Sequence, residues 1–301
     1  MAATMGSLSR AQRFALLFLT IGGVSAGFAA IFTRLCAFPA SVIASFRLLI
    51  AGLVLLPFCW RDLPVLFRDR GLKGFLLLMV PGILLGLHFQ LWVLGIKRTY
   101  VAAGTFIFAV NPLFFALFSR LLDRRRIGKL TFLCLGLVAA GAVWLLQSGG
   151  ARLGQWGDLY CFASMLLYVA YLLVSRGVSR GTSHLTYIHV IYLWGGIATL
   201  PFALLGGNIR GLVLSDTGSL AALLALALLP TLVGHTAANY GVRHFTPLTV
   251  SFFTQLEPVF ATLAAIPILA ETPAVGEIPA YLMFFSATLL YLLGARREAG
   301  Y

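Results

Sequence analysis

The chain has 301 residues, of which 60% are hydrophobic and only 10% are charged, and its 22 Lys and Arg against 9 Asp and Glu give a net charge of +13. Because about a quarter of the residues in soluble domains are charged, this composition excludes a soluble protein and predicts an integral membrane protein embedded in a lipid bilayer. The positive charge does not indicate nucleic acid as a partner, since the basic residues lie in short connectors between apolar runs rather than on one amphipathic face.

Ten apolar runs follow one another along the chain, each with about the 20 residues that a helix needs to cross a bilayer core. The connectors between them are short and contain Pro, Gly and charged residues, which predicts antiparallel neighbouring helices. A transmembrane barrel would instead have alternating runs of about ten residues, so the sequence predicts an all-α integral membrane bundle. The predicted spans, numbered in chain order, are 14–33, 40–60, 74–95, 99–121, 128–147, 156–176, 185–205, 218–241, 247–269 and 276–295.

Lys and Arg are distributed unevenly between the two sides of this bundle. With the N-terminus inside, sixteen of the 22 lie on the inner side and five on the outer side, while Arg47 lies within span 2. Cytoplasmic connectors of membrane proteins carry such an excess, so both termini are predicted to be cytoplasmic. The outer five are Arg34, Lys97, Arg98, Arg152 and Arg210.

One segment of the chain occurs twice in altered form. Residues 95–112 read GIKRTYVAAGTFIFAVNP and residues 241–258 read GVRHFTPLTVSFFTQLEP, at an offset of 146. This echo places Glu257 opposite Asn111, each directly before a proline. Ten spans with such an offset predict two repeats of five helices, residues 1–150 and 151–301, and five is odd, so the second repeat is inverted in the membrane.

Glu257 is a carboxylate in the middle of an apolar span, where ionisable groups are costly and mark function by default. One interpretation is that it satisfies backbone groups freed by Pro258. The other is that it binds a substrate amino group or a proton. Asn111 is neutral, so Asn111 and Glu257 do not provide one group of each charge. The pair therefore suits a zwitterionic substrate poorly. Pro112 and Pro258 are predicted to let spans 4 and 9 bend as gates.

Further polar and aromatic residues lie deep in the spans at helical spacing, as expected for the wall of a substrate cavity near the midplane. The histidines can also be satisfied interior residues, and the aromatic stripe of span 6 can be packing surface. The candidate cavity residues are His88 and Trp92 of span 3, Asn111 of span 4, Ser164, Tyr168 and Tyr171 of span 6, His235 and Asn239 of span 8, and Glu257 of span 9.

Two further features of the spans have structural interpretations. Arg47 is expected to pair with a carbonyl or an ion, or to extend toward the inner face, with carboxylate binding as the alternative. Gly82 and Gly86 are expected to let neighbouring helices approach closely.

Together these features resemble the EamA type of the drug/metabolite transporter superfamily over essentially the whole chain. They are Arg47 followed by Ala51 in ASFRLLIAGLVLLPF, the proline-centred span 4 with its basic exit, Gly157-Asp158 at the start of span 6, and LEPVFATLAAIPILAE at the end of span 9.

One departure from the family pattern concerns a Glu about thirteen residues after the helix proline. Glu271 has this place after Pro258, whereas the first half has Arg125.

The resemblance implies that spans 1, 3, 4, 6, 8 and 9 line one central cavity and that spans 5 and 10 lie outside it. Within the family the chain looks most like bacterial amino-acid exporters, including the YddG-like exporters of aromatic amino acids. The expected function is therefore that of a multi-pass secondary transporter of the bacterial inner membrane, which exports small metabolites, above all amino acids, by alternating access. Other metabolites or drugs are the alternative substrates.

Other classes fit the sequence less well. It contains no GxxxxGK[ST] motif, so nucleotide hydrolysis is not expected to drive transport, and no HExxH, paired acids or Ser/His/Asp set, so we expect no enzyme and no cofactor. A channel would need a filter-like ring of carbonyls or charges. The sequence allows both proton-coupled and facilitated transport, and a monomer is favoured.

The four cysteines lie in apolar runs without the spacing of metal ligands, so they are expected to be unpaired core residues. They are Cys36, Cys59, Cys134 and Cys161.

Overall fold

The computed structural model describes residues 9–123, 127–148, 154–205, 208–270, 272 and 274–298. Within these ranges all regular structure is helical, and ten helices are long and apolar enough to cross a membrane, which confirms the predicted fold class. Glu271, Arg125 and Arg152 lie outside the described residues. Spans 1 to 10 are Arg10–Leu35, Ala40–Cys59, Met79–Ile96, Val101–Leu121, Lys129–Gln147, Trp156–Val178, His184–Leu205, Thr217–His244, Pro247–Leu269 and Val275–Gly294.

Span 3 begins later than predicted, at Met79 rather than at residue 74, because a separate helix, Asp62–Leu77, precedes it. This helix contains two Asp, two Arg and one Lys, too many charges for a bilayer core. Gly71 has a φ of 60° and interrupts the helix, a conformation that glycine adopts without steric cost. The helix therefore joins spans 2 and 3 outside the core.

Four spans are interrupted in their interior. Spans 1, 4 and 9 are each divided in two, and the middle of span 8 is a π-helix, Ala227–His235, around Pro230. Proline lacks the N–H that the ladder requires, and π-segments often occur at functional sites. The divided spans consist of Arg10–Gly27 with Ala29–Leu35, Val101–Ala109 with Asn111–Asp123, and Pro247–Phe253 with Leu256–Leu269.

Glycines allow the central spans to pack at close range. A methyl group on Gly86 would lie 2.4 Å from the Gly195 carbonyl oxygen, so spans 3 and 7 touch backbone to backbone. A methyl on Gly22 would lie 2.5 Å from the Ala237 Cβ, which brings spans 1 and 8 together. This agrees with the expected packing role of the glycines in span 3.

Several helix contacts are reciprocal between the two halves. A methyl on Gly52 would lie 2.9 Å from Leu193, and one on Gly196 would lie 2.7 Å from Leu49. Gly52 corresponds to Gly196 and Leu49 to Leu193, each at an offset of 144, so the two contacts exchange the glycine and the leucine between spans 2 and 7. Spans 2 and 7 therefore pack on each other through corresponding residues.

Spans 5 and 10 pack on each other at one side of the bundle. The Trp144 indole donates to the Gly276 carbonyl at 2.8 Å, and Gly141 faces Phe284 and Ala280. Neither span contributes a described residue to the central cavity, as the family resemblance implied.

Candidate functional site

A narrow cavity of about 50 Å3 lies between the central spans. A cavity that takes up benzene has about 150 Å3, and pockets for small molecules have about 300–1,000 Å3. This conformation is therefore too tight for an amino acid, and a substrate would enter only after the spans move apart. The lining residues are Leu19, Gly22, Gly23, Ala26, Ala29, Arg47, His88, Phe89, Trp92, Phe108, Tyr168, Pro230, Gly234, His235, Ala238, Val250, Phe253, Thr254 and Glu257.

Aromatic rings form much of the cavity wall. The Phe108 ring lies 5.3 Å from Trp92 and 5.0 Å from Tyr168, between ring centroids. On the opposite side, Phe89 meets His235 edge to face at 4.6 Å. Spans 3, 4, 6 and 8 thus each contribute a ring. Such a wall suits an apolar or aromatic group, with the few polar groups fixing its orientation.

His88 is held in one orientation by Ser164. Its Nδ1 lies 3.0 Å from the Ser164 carbonyl oxygen and 2.7 Å from Oγ, and Oγ donates to the His88 carbonyl at 2.9 Å. A carbonyl oxygen only accepts, so Nδ1 carries the proton and Nε2 is left as an acceptor. His88 lines the cavity, whereas Ser164 lies behind it.

His235 occupies the opposing position on span 8, with its ring 5.6 Å from that of His88. The Asn239 amide donates to the His235 carbonyl at 2.8 Å and also to the Tyr171 hydroxyl. Tyr171 and Asn239 are buried and do not line the cavity, so they support the wall rather than form its surface.

Asn111 and Glu257 occupy corresponding positions in the repeated segment, but only the Asn111 side chain binds the backbone carbonyl freed by the adjacent proline. Pro112 deprives the Phe108 carbonyl of its helical N–H, and the Asn111 amide donates to that carbonyl at 2.7 Å and to Thr254 Oγ1 at 2.8 Å. The Thr254 carbonyl, which Pro258 deprives in the same way, accepts from the backbone N–H of Glu257 at 3.1 Å.

The Glu257 carboxylate is therefore not required to satisfy the backbone at the proline. Glu257 lines the cavity, while Asn111 is fully buried beside it. Pro112 and Pro258 begin the second halves of their spans, and the Gln255 amide donates to the Ala109 carbonyl between these two breaks. The breaks of spans 4 and 9 thus lie against each other at the side of the cavity.

Arg47 of span 2 lines the cavity, although it was not among the predicted cavity residues. Only 1% of its surface is exposed. Its guanidinium stacks 3.8 Å from the Phe89 centroid, and Nε donates to Thr231 Oγ1 at 2.9 Å. Nη1 has no hydrogen-bond partner among the described residues.

No carboxylate in the described part of the chain lies within 4.0 Å of the Arg47 guanidinium. Arg47 and Glu257 thus both line the cavity, and one buried donor of the Arg47 guanidinium has no hydrogen-bond partner among the described residues. In the sequence, Arg47 stands out in the same way as Glu257, as an ionisable residue inside an apolar span. Through Arg47, span 2 also lines the cavity, which the family resemblance had not implied.

Of the nine predicted cavity residues, five line the cavity and four lie directly behind it. The lining five are His88, Trp92, Tyr168, His235 and Glu257, and the others are Asn111, Ser164, Tyr171 and Asn239. The described residues contain no group of three His, Cys, Asp or Glu that could hold a metal ion.

Ten apolar helices, most of which surround one small cavity with a mainly apolar and aromatic lining, define a multi-pass membrane protein. The model of the EamA-like transporter family matches residues 13–147 and again residues 155–293. The chain therefore belongs to the EamA-like transporter family, and it is a membrane transporter.

Individual relatives agree with this family. An uncharacterized transporter of Archaeoglobus fulgidus is 23% identical over 282 residues, which are 93% of this chain and 97% of that protein. A protein of known crystal structure superposes with a TM-score of 0.73 at 19% identity, over 95% of this chain and 99% of the other. At this identity the superposition reflects a shared fold.

Proposed function

We propose that this transporter exports amino acids, including aromatic and apolar ones, across the bacterial inner membrane. The observation that carries the proposal is that Arg47 and Glu257, of opposite charge and both buried, line one aromatic-walled cavity. The free Nη1 donor of Arg47 suits the substrate carboxylate, since charge-assisted hydrogen bonds to guanidinium are strong. Glu257 suits the ammonium group.

His88 adds to the ammonium end of this arrangement. Its Nδ1 is committed to Ser164, so the acceptor Nε2 is the ring atom left for a donor on the substrate. The side chain would lie among Trp92, Phe108 and Tyr168. Asn111 and Glu257 suit a zwitterion poorly because Asn111 is neutral. Arg47 provides the positive charge that this pair lacks.

Transport would proceed by alternating access between two inverted halves, residues 1–150 and 151–301. The two matches of the family model, one in each half, and the reciprocal contacts of Gly52 and Gly196 support this division. In this conformation the cavity is too small for an amino acid, and the breaks in spans 4 and 9 supply places at which the helices can bend. The resemblance to bacterial exporters supports the direction and the inner membrane.

The test is flux of labelled amino acids through the purified protein in proteoliposomes. We expect saturable flux in which amino acids compete with one another, and recovery of the substrate chemically unchanged. Linear flux without competition would instead indicate a pore, and conversion of the substrate would indicate an enzyme. If amino acids neither move nor compete while another metabolite or a drug does, the substrate assignment is wrong.

A further inference from the structure

Lys97 follows span 3 and binds the end of span 1. Its Nζ donates to the Cys36 carbonyl at 2.7 Å and to the Phe38 carbonyl at 2.6 Å. Cys36 is the C-cap residue of span 1 and Phe38 lies two residues beyond it, so both carbonyls lie at the carboxyl end of the helix, where its dipole is negative. An ammonium group is therefore a strong ligand for them.

Arg243, in the last turn of span 8, binds the end of span 6 in the same manner. Its Nη1 donates to the Thr182 carbonyl at 3.0 Å and its Nη2 to the Ser179 carbonyl at 3.1 Å. Span 6 ends at Val178, and Ser179 is its C-cap residue. Here too a cation from one cavity-lining span binds the carboxyl end of another.

The two contacts are equivalent by sequence. Lys97 and Arg243 are separated by 146 residues, the offset of the repeated segment. Their acceptors correspond as well, because Cys36 and Ser179 are 143 residues apart and Phe38 and Thr182 are 144 apart. The same joint is therefore built twice. Spans 3 and 8 are five crossings apart, so their carboxyl ends lie on opposite faces of the membrane.

The helices tied by these cations belong to two close-packed pairs. Spans 1 and 8 touch at Gly22 and Ala237, and spans 3 and 6 touch at Gly95 and Cys161, in each case at distances that leave no room for a methyl group. Glycine contacts of this kind let helix backbones approach closely. The cavity lies between the two pairs, since His235 belongs to one and His88 to the other.

Lys97 joins the pair of spans 3 and 6 to the pair of spans 1 and 8 at one face, and Arg243 joins the same two pairs at the other face. We propose that Lys97 and Arg243 are the two gate residues of this transporter, each closing the cavity toward one face. Opening toward a face requires the cation there to release its two carbonyls while the opposite contact holds. This inference rests on the alternating access proposed above, but not on the identity of the substrate.

The experiment measures access to the cavity from each face. A reporter cysteine is placed at Ala26, which lines the cavity, and an impermeant thiol reagent is applied to intact cells or to inside-out vesicles. The protein without the reporter gives the background, because the four native cysteines are buried. Size-exclusion chromatography of each variant establishes that it is folded.

We expect Lys97→Met to raise labelling from one face and Arg243→Met to raise it from the opposite face. The expected increase is about tenfold, the shift that corresponds to the loss of one charge-assisted hydrogen bond. Lys97→Arg and Arg243→Lys keep a cationic donor and should retain low labelling. If a methionine variant does not fold, Lys97→Gln and Arg243→Gln give the same comparison.

Matched controls are available at the neighbouring equivalent positions. Arg98→Met removes a cation that stacks on Tyr160, and His244→Gln alters a ring that contacts Tyr240. Neither should change the face from which the reporter is labelled. The proposal is overturned if the Lys97 and Arg243 variants open the same face, if neither changes labelling, or if these controls change it equally.

This readout needs no substrate, so its failure is distinct from failure of the proposed function. Opposite-face labelling without amino-acid flux would leave the gates standing and remove the substrate assignment. Competitive amino-acid flux with labelling that does not depend on the variant would do the reverse.

Discussion

At the scale of single residues, Asn111 and Glu257 occupy corresponding positions before the two prolines but have different roles. The Asn111 side-chain amide donates to the Phe108 carbonyl. At Pro258 the backbone N–H of Glu257 donates to the Thr254 carbonyl instead, so the Glu257 carboxylate can face the cavity. A charge retained in only one half makes the cavity asymmetric. This asymmetry suits the zwitterionic substrate proposed above, which carries a different group at each end.

Glu257→Gln should weaken recognition of the amino group while leaving that of the carboxylate intact. Loss of a charge-assisted bond costs about 1.5–3 kcal/mol, so competition by a simple amine analogue should fall about tenfold or more. Competition by the corresponding carboxylic acid, which lacks the amine, should be unchanged. The measurement is inhibition of labelled amino-acid flux in proteoliposomes. Unchanged inhibition by the amine would mean that Glu257 has no part in binding.

Arg47→Met should give the converse result, with inhibition by the carboxylic acid weakened about tenfold or more and that by the amine retained. Methionine keeps apolar contact with Phe89, so the loss reports on the charge. The Nε bond to Thr231 is also lost, so thermal unfolding in detergent must accompany the flux measurement. Equal weakening of both inhibitors would assign Arg47 a structural role.

Lys97 should make one gate sensitive to alkaline pH. Burial lowers the pKa of the Lys97 ammonium, and the neighbouring Cys36 offsets this only in part. The contact is then fully charged below this lowered pKa and weakens as pH rises through it, at a lower pH than for an exposed lysine.

Labelling of the Ala26 reporter from the Lys97 face should therefore increase at alkaline pH more steeply in the wild-type background than in Lys97→Arg, whose guanidinium stays charged. The arginine variant also corrects for ionisation of the reporter thiol. Identical pH profiles in the two backgrounds would rule out titration of Lys97.

At the scale of elements, the positions of the spans followed from their apolar length, but their internal breaks followed only where proline marked them. Pro112 and Pro258 predicted the bends of spans 4 and 9. Pro230 also lies in the π-segment of span 8, but the prediction did not use it. The last residues of the helix before span 3 are mostly apolar, so the pattern of apolar runs merged them with that span. The break in span 1 has no proline to signal it.

Gly86→Ala tests the contact of spans 3 and 7. The added methyl would meet the Gly195 carbonyl at 2.4 Å, and because backbone must move, we expect a loss of stability of about 1–3 kcal/mol, as for overpacked cores. Gly136→Ala in span 5 is the matched control, since nothing lies within 4 Å of its added methyl. Alanine should stabilise that helix by up to about 1 kcal/mol. Thermal unfolding in detergent measures both, and equal melting temperatures would contradict the packing argument.

At the scale of the whole molecule, the sequence predicted the helical class, the number of spans and five of the nineteen residues that line the cavity. Membrane burial imposes long apolar runs and makes each polar residue within them conspicuous. Which polar residues face the cavity was beyond its reach. Ser164 and Tyr168 lie on one stripe of span 6, yet only Tyr168 reaches the surface of the cavity, since Ser164 bonds to His88. Arg47 shows the same limit, because its direction is set by Phe89 and Thr231 on other spans.

The orientation of the molecule in the membrane remains a prediction from charge. Sixteen of the 22 Lys and Arg lie on the side assigned as inner, and such an excess retains connectors in the cytoplasm. A reporter active only outside the inner membrane, fused after Tyr301, should therefore be inactive. The same reporter inserted in the connector between spans 5 and 6 should be active, because five crossings separate that connector from the N-terminus. The reverse pattern would invert the molecule and would assign the Lys97 gate, rather than the Arg243 gate, to the cytoplasmic face.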